Sequence, residues 1–164
     1  MIFKFKKHNS SLYSTLLVLS RNLHFYTNIK LTDSFEKRLY LMFFHFSMIL
    51  IIFKEKKIKF PQKSYDDLFN CIENNLRELG YGDVAVNKKM KDFNKVFYDI
   101  LLKVNTGGME LKINKKLVLK YFEEFNDLNI DKYELFAQYF LKFYHFCFEL
   151  RHETMIEEVI KFKV

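Results

Sequence analysis

The sequence predicts an all-α protein: a single-domain bundle of about six or seven helices around a central hydrophobic helix. Three observations lead there. Chain breakers are scarce, with Gly 4 and Pro 1 in 164 residues, so little interrupts long helices. Apolar residues return at helical spacing in one segment after another. The stretch Leu39 to Phe53 is apolar on every side, as expected of a helix enclosed by other helices or by lipid. It is shorter than the roughly 20 residues a bilayer crossing needs, and it contains His45 and Ser47. It therefore reads as the core of a bundle, with an interfacial position as the alternative.

The elements follow in order. Ser10 or Ser11 can cap a first helix reaching to about Asn28, with Leu12, Leu16, Leu19 and Leu23 on one face. Thr32, Asp33 and Ser34 offer caps for the central helix, Phe35 to Lys54, and Glu36 lies in its favourable first turn. The basic connector EKKIKFPQK holds the lone proline, Pro61. Ser64 is the expected cap of a third helix, with Asp66 and Asp67 in its first turn and Leu68, Ile72, Leu76 and Leu79 as its buried stripe. Gly80 should end it in a left-handed turn. Asn87 is the expected cap of a fourth helix. Its inner face carries Met90, Phe93, Phe97, Ile100, Leu101 and Val104, and Lys88, Lys91 and Lys95 lie opposite. After the NTGG loop a fifth helix is expected near Asn114, a sixth near Asp131, and a short tail helix after Thr154. The whole chain, 1–164, reads as one domain, because too little chain follows NTGG for a separate core.

Composition narrows the class. A hydrophobic content of 49% with aromatics at 18% excludes a disordered chain. The net charge is +7 and unevenly placed: residues 1–63 hold 12 Lys or Arg against 3 Asp or Glu, whereas 64–164 hold 15 against 17. A coding bias toward Lys, Asn, Ile and Phe accounts for the lysine count but less well for this asymmetry. Such a field attracts RNA, DNA or anionic headgroups. The start, with Lys4, Lys6 and Lys7 before an apolar stretch, briefly resembles a signal peptide, but serines break the stretch and no cleavage pattern follows. Cys71 and Cys147 sit in apolar helical patterns and read as buried thiols.

Catalytic and cofactor motifs are not evident. There is no Gly-rich phosphate loop, no Cys-x-x-Cys and no nucleophilic triad order. His145, Glu149 and His152 are spaced to share a helix face. A di-iron bundle, however, needs a second Glu-x-x-His and two further glutamates, so neither a metal nor another cofactor is expected. His45 reads as a core histidine hydrogen-bonded to a backbone or side-chain acceptor.

The segment from Phe35 to Asp99 carries a more specific signal. An apolar helix with basic ends (FEKRLYLMFFHFSMILIIFK) is followed by an amphipathic helix closed by LRELGYGD, then by a helix with a lysine face. Before it, Phe25, Tyr26, Asp33, Phe35 and Arg38 stand in a matching order. This arrangement resembles the ubiquinol–cytochrome c chaperone family, assembly factors of the respiratory cytochrome bc complex. The resemblance is strongest over 21–104 and fades beyond NTGG. Leu76, Arg77, Glu78, Gly80, Gly82 and Asp83 carry its most specific motif. It implies an all-helical, non-enzymatic factor that assists cytochrome b, located in the cytoplasm at the periphery of the inner membrane. The implied partners are cytochrome b or its complex, with the ribosome or an anionic membrane surface, and no small-molecule substrate. Resemblance and charge clustering together nominate Arg38, Lys54, Lys56, Lys57, Arg77, Asp83, Lys88, Lys91 and Lys95 as partner-binding residues. A solvated face is the plain alternative for the lysines. The rival function is a basic nucleic-acid- or ribosome-binding module unrelated to respiration; the chain is Lys-rich, Arg-poor and shows no clear helix-turn-helix spacing.

Overall fold

A computed structural model describes residues 10–126 and 130–164. Among the described residues there are seven α-helices and no β-strand: α1 (Ser11–Ser20), α2 (Phe35–Glu55), α3 (Gln62–Glu78), α4 (Asp83–Lys103), α5 (Lys115–Tyr121), α6 (Ile130–Phe148) and α7 (Met155–Glu158). Short 3-10 turns, Glu123–Phe125 and Val159–Lys161, follow α5 and α7. The basic start with Lys4, Lys6 and Lys7 lies outside the described residues.

The central helix is α2, which packs against α1, α4 and α6. Residues Leu41 through Ile49 are all buried, whichever way they point. That is the packing expected of an all-round apolar helix at less than membrane length. No helix of the described residues is long and apolar enough to cross a membrane. Aromatic rings fill much of the space between α2 and α6: Phe44 lies 5.3 Å from Phe136, and Phe136 lies 4.8 Å from Phe140. Each such ring, fully buried, contributes about 1.5–3 kcal/mol.

His45 is inside this cluster and wholly buried. Its Nδ1 lies 2.7 Å from the Leu41 carbonyl oxygen and its Nε2 lies 2.7 Å from the Tyr139 hydroxyl. The arrangement fits the neutral ring, with Nδ1–H donating to Leu41 and Nε2 accepting from Tyr139. Burial pushes the His45 pKa down to about 3, because no water is at hand to solvate an imidazolium.

Four helix boundaries differ from expectation, and for the first three the local cause is visible. The first helix stops at Ser20 instead of reaching Asn28. The Ser20 hydroxyl donates to the Leu17 carbonyl, and Asn22 accepts from the His24 amide, so side chains compete with the helical ladder. A π-helical turn, His24–Asn28, follows, and Leu23 is exposed rather than part of the buried stripe. The third helix begins at Gln62, not after Ser64, with Pro61 as its N-cap at φ −61°. Proline cannot donate an amide and already holds a helix-compatible φ, which suits a helix entrance. Asp66 and Asp67 are consequently past the first turn, where they pair with Gln62 and Lys63 one turn back. The fourth helix begins at Asp83, not Asn87, with Gly82 as its cap. Val86 is fully buried and extends the inner stripe by one turn. Finally, α6 ends at Phe148, so Glu149 and His152 lie beyond it and do not share a helix face with His145. No group of three or more His, Cys, Asp or Glu among the described residues is placed to hold a metal ion.

Leu79, expected in the buried stripe of α3, is instead exposed, but several other expectations match. Ser10, Ser34 and Asn114 cap α1, α2 and α5 by accepting amide hydrogen bonds. Gly80 takes φ +96°, and Cys71 and Cys147 are buried and not joined in a disulfide.

Candidate docking surface

The outward face of α4 is the most distinctive surface. Val84, Lys88, Lys91, Lys95, Tyr98 and Leu102 follow one another at steps of four and three, which places them on a single stripe. The stripe is about 27 Å long at 1.5 Å per residue. Its ends are apolar and open: Val84 is 86% exposed and Leu102 77%. The three lysines between them are exposed and form no ion pair among the described residues.

The acids of α4 do not neutralise this stripe equally. Asp92 is exposed, but Asp99 is turned away into a side-chain cluster. It accepts from Lys103 at 2.6 Å, from Lys120 at 2.7 Å and from the Tyr121 hydroxyl. Burial alone would raise its pKa; these three donors overcome that and hold the carboxyl well below the usual carboxylate range. Asp99 thus fastens α4 to α5.

The turn before α4 is held from both sides. Arg77 near the end of α3 pairs with Glu73 at 3.2 Å and with Asp83 at the start of α4. The Asp83 charge also complements the amino end of α4. Asp83 is the first residue of the helix, not a loop residue ahead of it. Lys89 lies over the Tyr81 ring at 4.7 Å.

The nine nominated residues do not form one site. Arg38, Arg77, Asp83 and the first half of α4 gather at the end of the bundle where α2 and α4 begin and α3 finishes. Lys54, Lys56 and Lys57 lie at the other end of α2, about 24 Å from Arg38 along the helix axis. Lys56 donates to the carbonyls of Phe148 and Leu150, at 2.6 and 3.1 Å, and its ammonium lies over the Phe148 ring. It caps the end of α6, where cations are favoured. Arg38 is engaged through Nε with Asp33 at 3.2 Å. Sequence reasoning missed Val84, Tyr98 and Leu102, although their spacing from the lysines was visible.

A family model for the ubiquinol–cytochrome c chaperones matches residues 27–120, more than half of the chain. The chain belongs to the ubiquinol–cytochrome c chaperone family. The match takes in α2, α3, α4 and all of α5 but its last residue, and so runs past the NTGG loop where the resemblance in the sequence fades. No curated protein and no solved structure matches the chain. Membership supports a chaperone role in assembly of the cytochrome bc complex and argues against the rival reading of a module unrelated to respiration. The family's role is that of a chaperone.

Proposed function

We propose that this chaperone assists newly made cytochrome b at the surface of the inner membrane, on the cytoplasmic side, with the outward face of α4 against anionic headgroups. Family membership carries the link to the cytochrome bc complex. The observation that supports membrane docking is the α4 stripe: exposed lysines with no ion pair among the described residues, flanked by an exposed valine and an exposed leucine. Lysines gain about 1 kcal/mol each beside an anionic leaflet. Exposed apolar ends gain further by entering the headgroup layer, whereas an RNA surface offers Val84 and Leu102 no such gain. A client segment that leaves the ribosome must reach the bilayer with its apolar surface covered, so a chaperone already resting on the bilayer shortens that transfer.

Deletion of the gene, followed by measurement of assembled cytochrome b, tests the client. We expect loss of the assembled protein and recovery with the wild-type gene. Normal levels in the deletion strain would remove the reading.

A further inference from the structure

At the end of the bundle that carries the α3–α4 turn, α1, α2 and α3 leave a crevice of ≈ 250 Å³. Leu39, Met42 and Ile72 line it and are buried, so they form its floor. Arg21, Glu78 and Leu79 line it and are exposed, so they form its mouth. A second cavity of ≈ 360 Å³ lies alongside, reaches Leu23 and Leu31, and shares Arg21 and Arg38 with the first. The two arginines therefore stand between two apolar hollows.

The polar groups at this mouth are only partly used. Arg38 commits Nε to Asp33, which leaves its two terminal nitrogens for another acceptor. Arg21 and Glu78 form no ion pair among the described residues, and both act electrostatically on the Tyr13 hydroxyl, which places them at the same opening. Within the crevice Tyr13 accepts a hydrogen bond from Asn75. Burial raises the pKa of the Tyr13 phenol, so it stays neutral. The crevice thus has an apolar floor, a neutral Tyr13–Asn75 pair on its wall, and Arg21, Arg38 and Glu78 as its charged lining.

That pattern selects the occupant. A peptide strand needs unpaired backbone groups along its path, and these walls are helices whose backbone groups are already bonded to one another. A helix about 10 Å across would need an apolar floor running along its length, whereas the buried floor here is only Leu39, Met42 and Ile72. An unbranched hydrocarbon chain needs neither backbone partners nor width. A phosphate suits paired guanidinium groups, and a primary ammonium suits Glu78. We propose that this crevice binds one acyl chain of a zwitterionic phospholipid, with the phosphate on Arg21 and Arg38 and the ethanolamine nitrogen on Glu78.

The test uses the full chain and three amphiphiles below their micelle concentrations: dodecanoyl lysophosphatidylethanolamine, dodecanoyl lysophosphatidylglycerol and dodecanoate. Titration calorimetry should give the tightest Kd for the ethanolamine lipid, with dodecanoate about tenfold weaker because it lacks the second charge-assisted contact. Leu17→Trp, at the half-buried wall, should fill the crevice and abolish uptake. Arg21→Glu should weaken the ethanolamine lipid about tenfold. Glu78→Gln should keep chain binding but erase the preference over the glycerol lipid. Melting curves establish that each variant is folded, and Arg21 and Glu78 are exposed enough to change without loss of the core. Equal or tighter binding of the glycerol lipid by the wild type would overturn the proposal. So would unchanged uptake by Leu17→Trp, which means adsorption elsewhere. A synthetic apolar helix that shifts the crevice resonances while the lysolipid does not would make this a groove for protein and overturn it as well.

Discussion

At the scale of single residues the buried His45–Tyr139 hydrogen bond ties α2 to α6. Tyr139→Phe would leave the His45 Nε2 unsatisfied in a dry core, at a cost of about 1–3 kcal/mol. The same histidine makes the fold pH-sensitive in a defined direction. Its folded pKa, about 3, lies below its ordinary value of 6.5, so between those values the unfolded chain binds a proton that the folded chain refuses. Stability from this group is complete above pH 6.5 and is lost as pH falls toward 3, at up to about 1.4 kcal/mol per pH unit. Asp99, also depressed, has an ordinary value of 3.8 and loses its contribution only below that. Urea unfolding of His45→Gln across this range should therefore lose much of the slope between pH 6.5 and 4.5, leave the share of His24, whose pKa burial also lowers, and keep the loss at lower pH that Glu124 and Asp99 cause. An unchanged slope in that interval would mean another group is responsible.

Among the elements, the α3–α4 turn separates two glycines that look alike in the sequence. Gly80 has φ +96°, while a Cβ at Gly82 would meet nothing within 4 Å and its φ is −75°. Gly80→Ala should cost about 1 kcal/mol or more, because only the backbone conformation resists the methyl group. Gly82→Ala should be close to neutral, and thermal melts of the two variants decide it. The same turn shows what was legible in the chain. Gly80 was readable because a left-handed helix end has one strongly preferred residue. The start of α4 was misread because Asn87 is a good cap in isolation, while the true start depends on Gly82 extending and Val86 reaching the core. Val86 stands four residues before Met90, on the same apolar stripe, so periodicity outweighed cap preference here. At α3 the reverse occurred: Pro61 set the entrance and Ser64 was carried inside. Caps are weak, local preferences worth about 1 kcal/mol, and a buried stripe or a proline overrides them. The core was legible because burial depends on a long pattern. The crevice beside Arg21 was not, because it exists only where three helices meet.

For the whole molecule the decisive question is which surface faces the membrane. The connector lysines and the α4 lysines lie toward different ends of the bundle, so one flat surface does not engage all of them equally. Lys56 is already occupied by the end of α6, which leaves the connector with fewer free cations than its sequence suggests. On α4 the reverse holds, because Asp99 is withdrawn into the contact with α5 and leaves the stripe more positive than its sequence suggests. Changing Lys88, Lys91 and Lys95 together to Gln should leave helicity and melting essentially unchanged, since their side chains are exposed and make no ion pair among the described residues. It should weaken binding to vesicles containing phosphatidylglycerol and flatten the salt dependence, as screening then has fewer charges to act on. Val84→Ser with Leu102→Ser should weaken vesicle binding without altering its salt dependence, because those side chains contribute by apolar burial. The two variants together separate charge from insertion. If the triple variant binds vesicles as the wild type does but no longer binds ribosomes, the stripe reads RNA and the membrane assignment fails. If neither binding changes, the lysines are only a solvated face, and docking must be sought at the opposite end of α2.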